Sequence, residues 1–488
     1  MRCRPGLWAW VDSAYRRYVT ALAHDPTAFR GTLADIPGPA GGFFLGNAMD
    51  FRRDLLGHLT TGLHRYGDVV AYPVGPRATP MRITIVVAHH PTDVHTVLAQ
   101  TERTFTKDTI AFRVMAEMFG DGLLTTEGEE WKRQRRIVQP LFTPRRVEGY
   151  AALMAEEAER VTAGAPEDGR TVDAHLLMME YTLRVVGRAL FGDAGESIDH
   201  IVDVLDELVP EVSHVTRRRM FRPIQVPIGK PGPGNRYARS LRRRQYAVID
   251  DILSRSPRPG QSSYDGDRDD LVTRLREARD PETGDPISER EIRDQALIFL
   301  MAGHETTAGA LTFTLHLLGR HPEIQDRVAD EIRSVLGDDP VASPDQVRRL
   351  VLTRAALLEG MRLFPSAHVT ERSTSTAVTL GGYALPEDQI VLVSPWTTHR
   401  HPEFWPYAEQ FDPGRFVGEH DRPRYAYFPF GGGPRSCVGE HFAMLEAVTL
   451  LAAFLRRHRV TAQRAELSVM PNITLRPVGL VPLAITRR

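Results

Sequence analysis

Cys437 constrains this chain more than any other residue. It lies in Phe430-Gly-Gly-Gly-Pro-Arg-Ser-Cys-Val-Gly439, directly before an apolar helical stretch, Phe442 to Leu455. The one other cysteine is Cys3, near the N-terminus. Cys437 therefore has no thiol nearby in sequence with which to share zinc or an iron–sulfur cluster, and two cysteines give no disulfide framework. The glycines allow backbone N–H groups to approach the sulfur. The following helix turns its positive end toward it, an arrangement that lowers a thiol pKa. Two readings fit such a loop: a structural cysteine in a tight turn, or an axial thiolate on a heme iron.

The loop meets the pattern F-x-x-G-x-R-x-C-x-G in full, through Phe430, Gly433, Arg435, Cys437 and Gly439. It resembles the heme-binding loop of the cytochrome P450 family. Three further motifs stand in the order that family uses. Ala302-Gly-His-Glu-Thr-Thr307 resembles the oxygen-activation motif A-G-x-[DE]-T-T. Glu359 and Arg362 form E-x-x-R, 75 residues ahead of Cys437 counted from Arg362, with Phe411-Asp-Pro-Gly-Arg-Phe416 between. Trp131-Lys-Arg-Gln-Arg135 matches W-x-x-x-R.

The spacing gives each motif a physical sense. Ala302 and Thr306 are four apart and share a helix face. Small residues there let a flat macrocycle lie against the helix. The resemblance makes Glu305 and Thr306 the pair that delivers protons beside bound oxygen, as general acid–base chemistry requires. Glu359 and Arg362 meet on one helix face. With Arg415 they would form a buried structural triad that fixes the cysteine loop. Trp131, Arg135, Arg372 and Arg435 are the expected propionate partners, through bidentate guanidinium and indole N–H contacts, with Lys107 as a weaker candidate. Phe430 and Ala302 complete the heme contacts, and Cys437 is the iron ligand. The substrate pocket is expected from a loop at 108–124 and elsewhere: Phe112, Met115, Phe299, His368, Val369 and Ile473, with His368 as its polar member.

The resemblance implies a mainly α (α+β) fold. It would be one large P450-like domain over residues 36–488, of about a dozen helices with small β-sheets. Its heme would lie between the long central helix and the cysteine loop. Ser288-Glu-Arg-Glu291 fits a capping box and starts that helix. Met81-Arg-Ile-Thr-Ile-Val-Val87 and residues 373–395 read as strands and turns. Residues 128–210 read as helical. Pro223, Pro227, Pro231 and Pro233 exclude a continuous helix over 217–236, and 255–269 is polar and turn-rich. Residues 1–35 read as a helical extension without a membrane anchor. No window reaches the roughly 18–20 apolar residues of a membrane span, and no signal peptide is evident.

The implied function is a heme-thiolate monooxygenase, holding heme b (iron protoporphyrin IX). It would use O2 as co-substrate and electrons drawn ultimately from NAD(P)H. The chain runs 51 residues past Cys437, which points to a separate donor: a ferredoxin or other acidic redox partner with its reductase. The basic residues Lys132, Arg133, Arg136, Arg145 and Arg146 form a candidate docking face for it. The substrate would be an apolar secondary-metabolite intermediate that is hydroxylated, epoxidised or coupled. A peroxide-driven peroxygenase and an O2-independent isomerase are the alternatives, but the acid–Thr pair argues against both. A non-catalytic heme sensor would require a damaged distal motif. Net charge is −1 and suggests no nucleic-acid partner. Three lysines stand against 58 arginines, a bias of GC-rich genomes such as those of actinobacteria. The expected protein is a cytoplasmic monomer.

Overall fold

The computed structural model describes residues 29–488 except 78, 80, 193–195, 223–224, 256–269, 338 and 340–342. Most of the expected N-terminal extension, and the polar stretch from 256 on, lie outside the described residues. Residues 29–35 include a short strand, Gly31–Thr32, parallel to Tyr383–Ala384, then a 3-10 turn at Leu33–Asp35. This last part of the expected helix is therefore held by strand pairing.

Five strands build the principal sheet: β1 (Val69–Val74), β2 (Ile83–Ala88), β3 (Phe105–Thr106), β4 (Thr370–Thr374) and β5 (Ile390–Val393). Their order is β1-β2-β5-β4-β3. The β-branched run of β2 is buried at Val86 and Val87 and pairs parallel with β5. That pairing joins segments some 300 residues apart, so the sheet ties the N-terminal third to the C-terminal third. A second sheet was not anticipated: Asp168–Asp173, within the region read as helical, pairs with Pro482–Arg487, which pairs with His458–Ala462.

Helices carry the rest. Those used below are α1 (Ile110–Phe119), α2 (Gly128–Val138), α3 (Ala174–Phe191), α4 (Glu289–Arg320), α5 (Val351–Leu363) and α6 (Glu440–Arg457). Sixteen α-helices occur among the described residues, four of them shorter than eight residues, which leaves the expected dozen of full length. None is long and apolar enough to cross a membrane among those residues.

The capping box of α4 forms as expected. Ser288 Oγ accepts from Glu291 N at 3.2 Å, and Glu291 Oε2 accepts from Ser288 N at 2.9 Å. From Ala296 to Leu318 most of α4 is buried on every side, so it must lie at the centre of the domain. Helix α3 packs along it and joins it to α6. Thr182 Oγ1 donates to His304 O at 3.0 Å, and Tyr181 Oη donates to Glu446 O at 3.0 Å.

Two expected loops differ. The segment 108–124 contains helix α1, whose N-terminus is capped where Thr109 Oγ1 accepts from Phe112 N at 3.4 Å. The break within 217–236 is shorter than expected, because helix Glu196–Met220 enters it and helix Asn235–Arg255 leaves it. Asn235 organises the turn by donating through Nδ2 to Pro227 O at 2.9 Å and Lys230 O at 3.0 Å.

Candidate active site

A cavity of about 410 Å³ lies at the centre of the domain. Cys437, Phe430 and Arg435 line it from the cysteine loop, and Ala302, Gly303 and Thr306 line it from α4. The two motifs, 131 residues apart from Thr306 to Cys437, thus face one volume.

The loop is built to hold the thiol still. Cys437 N donates to Phe430 O at 2.9 Å, and a 3-10 turn spans Gly433–Arg435. Gly433 has φ +66°, and a Cβ there would lie 2.1 Å from Leu98 O. Only glycine permits that approach. Gly433→Ala is expected to displace the loop and lower heme content, measured by heme absorbance per protein; full heme occupancy would refute the close-approach argument. Cys437 is exposed, and what it is exposed to is the cavity. The surrounding protein still desolvates it. Burial pushes its thiol up and Glu440 adds to this, while the Gly439 N–H and Arg135 pull it down. The helix end alone therefore does not set its pKa.

Behind the loop stands the expected triad. Arg362 donates to Glu359 through Nε at 2.7 Å and Nη2 at 2.8 Å, and both side chains are fully buried. Arg415 Nε lies 3.5 Å from Glu359 Oε1. The Arg362 guanidinium also donates to His399 O at 3.0 Å and Gln410 O at 3.1 Å. His399 Nε2 in turn accepts from Phe428 N at 2.9 Å. A chain of hydrogen bonds thus runs from α5 to the residues that begin the cysteine loop.

Four cations line the cavity: Lys107, Arg135, Arg372 and Arg435. Arg435 lies 3.8 Å over the Trp131 ring, pairs with Glu102 and donates to Thr126 O at 2.8 Å. Arg135 Nη1 donates to Ser436 O at 2.8 Å. Arg372 Nη1 donates to Glu371 O at 2.8 Å; its burial, with Arg435 nearby, depresses it to about 10. Lys107 Nζ donates to Leu124 O at 2.8 Å, and burial together with Arg372 and Arg435 holds its amine well below the usual range. Buried like charges are costly unless an anion joins them. Two carboxylates entering this edge would relieve the repulsion. The donor set thus fits a heme: a thiol, a small-residue helix face and a cationic edge for propionates.

Not every expected residue reaches the cavity. Phe112 and Phe299 line it, and Phe299 stands edge-to-face with Phe142 at 5.3 Å. Among the described residues, the lining does not include Met115, His368, Val369 or Ile473. Met115 and Ile473 pack in the main core. Val369 joins the cluster of Phe51, Leu59 and Tyr72. His368 is 1% exposed; its carbonyl accepts from Ser394 Oγ at 2.8 Å, and burial lowers its imidazole to about 4. In their place Ser366 and Ala367, in the turn before β4, and Thr370, the first residue of β4, line the cavity. Polar recognition by His368 is withdrawn.

Glu305 also departs from expectation. Its carboxylate is held by Arg476 and the Thr474 hydroxyl, away from the cavity. Burial raises its pKa, but Arg476 and Thr474 outweigh this and keep it below the usual value. One residue further along a helix is about 100° around it, so Glu305 turns to Thr474 and Arg476 while Thr306 stays on the wall. Thr306 Oγ1 donates to Ala302 O at 2.6 Å. The basic docking stretch is also narrower than expected. Lys132 pairs with Glu129, Arg133 with Glu291, and Arg136 with Asp280 and Glu282, whereas Arg145 and Arg146 are exposed.

Comparison with known proteins agrees with this geometry. The family model for Cytochrome P450 matches residues 36–482. Cyclooctatin synthase of Streptomyces melanosporofaciens is 33% identical over 449 residues, covering 91% of this chain and 94% of that protein. Cyclooctat-9-en-7-ol 5-monooxygenase of the same species is 33% identical over 419 residues, covering 85% and 87%. Pentalenene oxygenase of Streptomyces avermitilis is 32% identical, covering 91% and 94%. A heme-compatible cavity, the ordered motifs and similarity over nearly the whole chain lead to one conclusion: this chain belongs to the cytochrome P450 family and is a heme-dependent monooxygenase.

Proposed function

We propose that this enzyme oxidises a mid-sized, apolar secondary-metabolite intermediate, with Cys437 as the residue that would bind the heme iron and electrons supplied by a separate redox protein. The observation that carries the reading is that Cys437 and Thr306 line one cavity whose edge holds four cations. When bound, heme b supplies the activation of O2 and the transfer of one oxygen atom to substrate.

The chain's own residues do the rest. Arg135, Arg372, Arg435 and Lys107 hold the propionates, with Trp131 bracing Arg435. Ala302 and Gly303 keep the α4 wall flat. Phe112, Phe299 and Phe142 supply the apolar surface that selects substrate and displaces water. Two of the relatives are named for an alkene and an alkenol, which suits such a lining. Hydroxylation, epoxidation and coupling are all open to it. Electrons come from NAD(P)H through a ferredoxin and its reductase, with Arg145 and Arg146 as docking cations for an acidic donor. A cytoplasmic setting suits a thiol that must stay reduced, and the protein acts as a monomer.

Thr306 holds a proton at the cavity wall. Thr306→Ala is expected to divert electrons from product to peroxide. Product formed per NAD(P)H should fall on the order of tenfold to a hundredfold, with heme content unchanged. Parallel assays of product and peroxide check this, and full coupling in the variant would remove Thr306 from proton delivery. Turnover sustained by peroxide alone, and absent with ferredoxin, reductase and NAD(P)H, would refute the electron-transfer reading.

A further inference from the structure

Outside the cysteine loop, four hydroxyl side chains line the cavity: Thr306, Thr307, Ser366 and Thr370. Three are already engaged in other work. Thr306 Oγ1 donates to Ala302 O and belongs to the oxygen chemistry. Thr307 bonds the buried Glu446 carboxyl. Thr370 Oγ1 accepts from Arg372 at 3.1 Å, at the cationic edge. Ser366 remains. Its Oγ lies 2.8 Å from Thr306 O. A carbonyl only accepts, so the Ser366 hydrogen is committed to that bond. The lone pairs of the same oxygen meet no donor among the described residues. Ser366 therefore offers the cavity an acceptor and no donor.

The residue is also held still. Its carbonyl accepts from Leu475 N at 2.8 Å. Two positions earlier, Phe364 stacks on Phe313 of α4 with ring centroids 4.5 Å apart. The oxygen is thus a fixed polar point in a largely apolar wall, which is what orients a ligand. Polar recognition, expected at His368, falls two residues earlier in the same turn.

We propose that Ser366 anchors the substrate by accepting a hydrogen bond from its hydroxyl, so that the enzyme acts on an apolar molecule already carrying an alcohol. The inference deepens the monooxygenase reading above and rests on it. An ether, ketone or alkene has no hydrogen to give and gains nothing from Ser366. An alcohol gains one neutral hydrogen bond, about three- to tenfold in affinity. A reaction that installs an alcohol must therefore precede this one.

The test uses three rigid probes of nearly one shape: the bridgehead alcohol of adamantane, its methyl ether, and methyladamantane. Equilibrium dialysis against the holoenzyme gives the Kd of each. Ser366→Ala should weaken the alcohol about three- to tenfold and leave the ether and the hydrocarbon unchanged. A merely structural role would weaken all three alike, and that result overturns the proposal, as does an alcohol Kd that does not move. A second measurement needs no variant. In a crystal structure of the wild-type holoenzyme with the alcohol bound, its hydroxyl should lie within about 3 Å of Ser366 Oγ; a hydroxyl turned elsewhere overturns the anchor. Failure of all three probes to bind would overturn the apolar-pocket reading together with the proposal. Loss of the thiolate-type spectrum in the wild type would instead refute the monooxygenase reading itself.

Discussion

Cys437→Ala is expected to abolish monooxygenase turnover while leaving the fold in place. Two of the bonds that shape the loop do not use the thiol: the bond to Phe430 O comes from the Cys437 backbone, and the turn at Gly433–Arg435 is backbone too. Alanine preserves all of these. What disappears is the electron-rich ligand that favours O–O cleavage. The cationic edge remains, so the variant should still bind heme, more weakly and without a thiolate. Pyridine-hemochrome assay for heme, circular dichroism for fold and product analysis for activity separate these effects. Residual activity near wild type would mean that another side chain, or none, serves the iron.

Glu359→Ala carries the largest expected cost in stability. It strands the Arg362 guanidinium, which is wholly buried. Breaking a buried pair from one side costs about 3–5 kcal/mol, a large part of the roughly 5–15 kcal/mol that holds a domain together. The damage should spread along the hydrogen bonds from Arg362 through His399 to Phe428, and so reach the cysteine loop. Heme should be lost at lower urea than in the wild type, before or with global unfolding. Arg415→Ala should cost far less, because Glu359 keeps its two hydrogen bonds from Arg362 while Arg415 Nε lies 3.5 Å away. Urea titrations followed by heme absorbance and by tryptophan fluorescence measure both. Equal costs for the two variants would refute the assignment of Arg362 as the buried centre.

These two sites were legible in the sequence because their signals are local. The cysteine loop, the E-x-x-R pair and the Ser288 capping box each complete their geometry within ten residues. What the sequence left hidden depended on distant partners. Glu305 looks free to serve the cavity until Arg476, 171 residues on, takes its carboxylate. His368 and Val369 are expected in the pocket, but the lining positions go to Ser366 and Ala367 of the preceding turn and to Thr370 at the start of β4. That choice follows from packing Val369 into the cluster with Phe51 and Tyr72, which local periodicity does not encode. Strand Asp168–Asp173 was missed because its partner is the chain's C-terminal strand.

The measurement that bears most directly on the central claim is the absorption spectrum of the reduced, carbon-monoxide-bound protein. Thiolate ligation of the iron moves the Soret band to markedly longer wavelength than histidine or a neutral thiol does. The account predicts that long-wavelength band in freshly purified protein and its disappearance in Cys437→Ala. A short-wavelength band in intact protein, or the long-wavelength band persisting without Cys437, would contradict it.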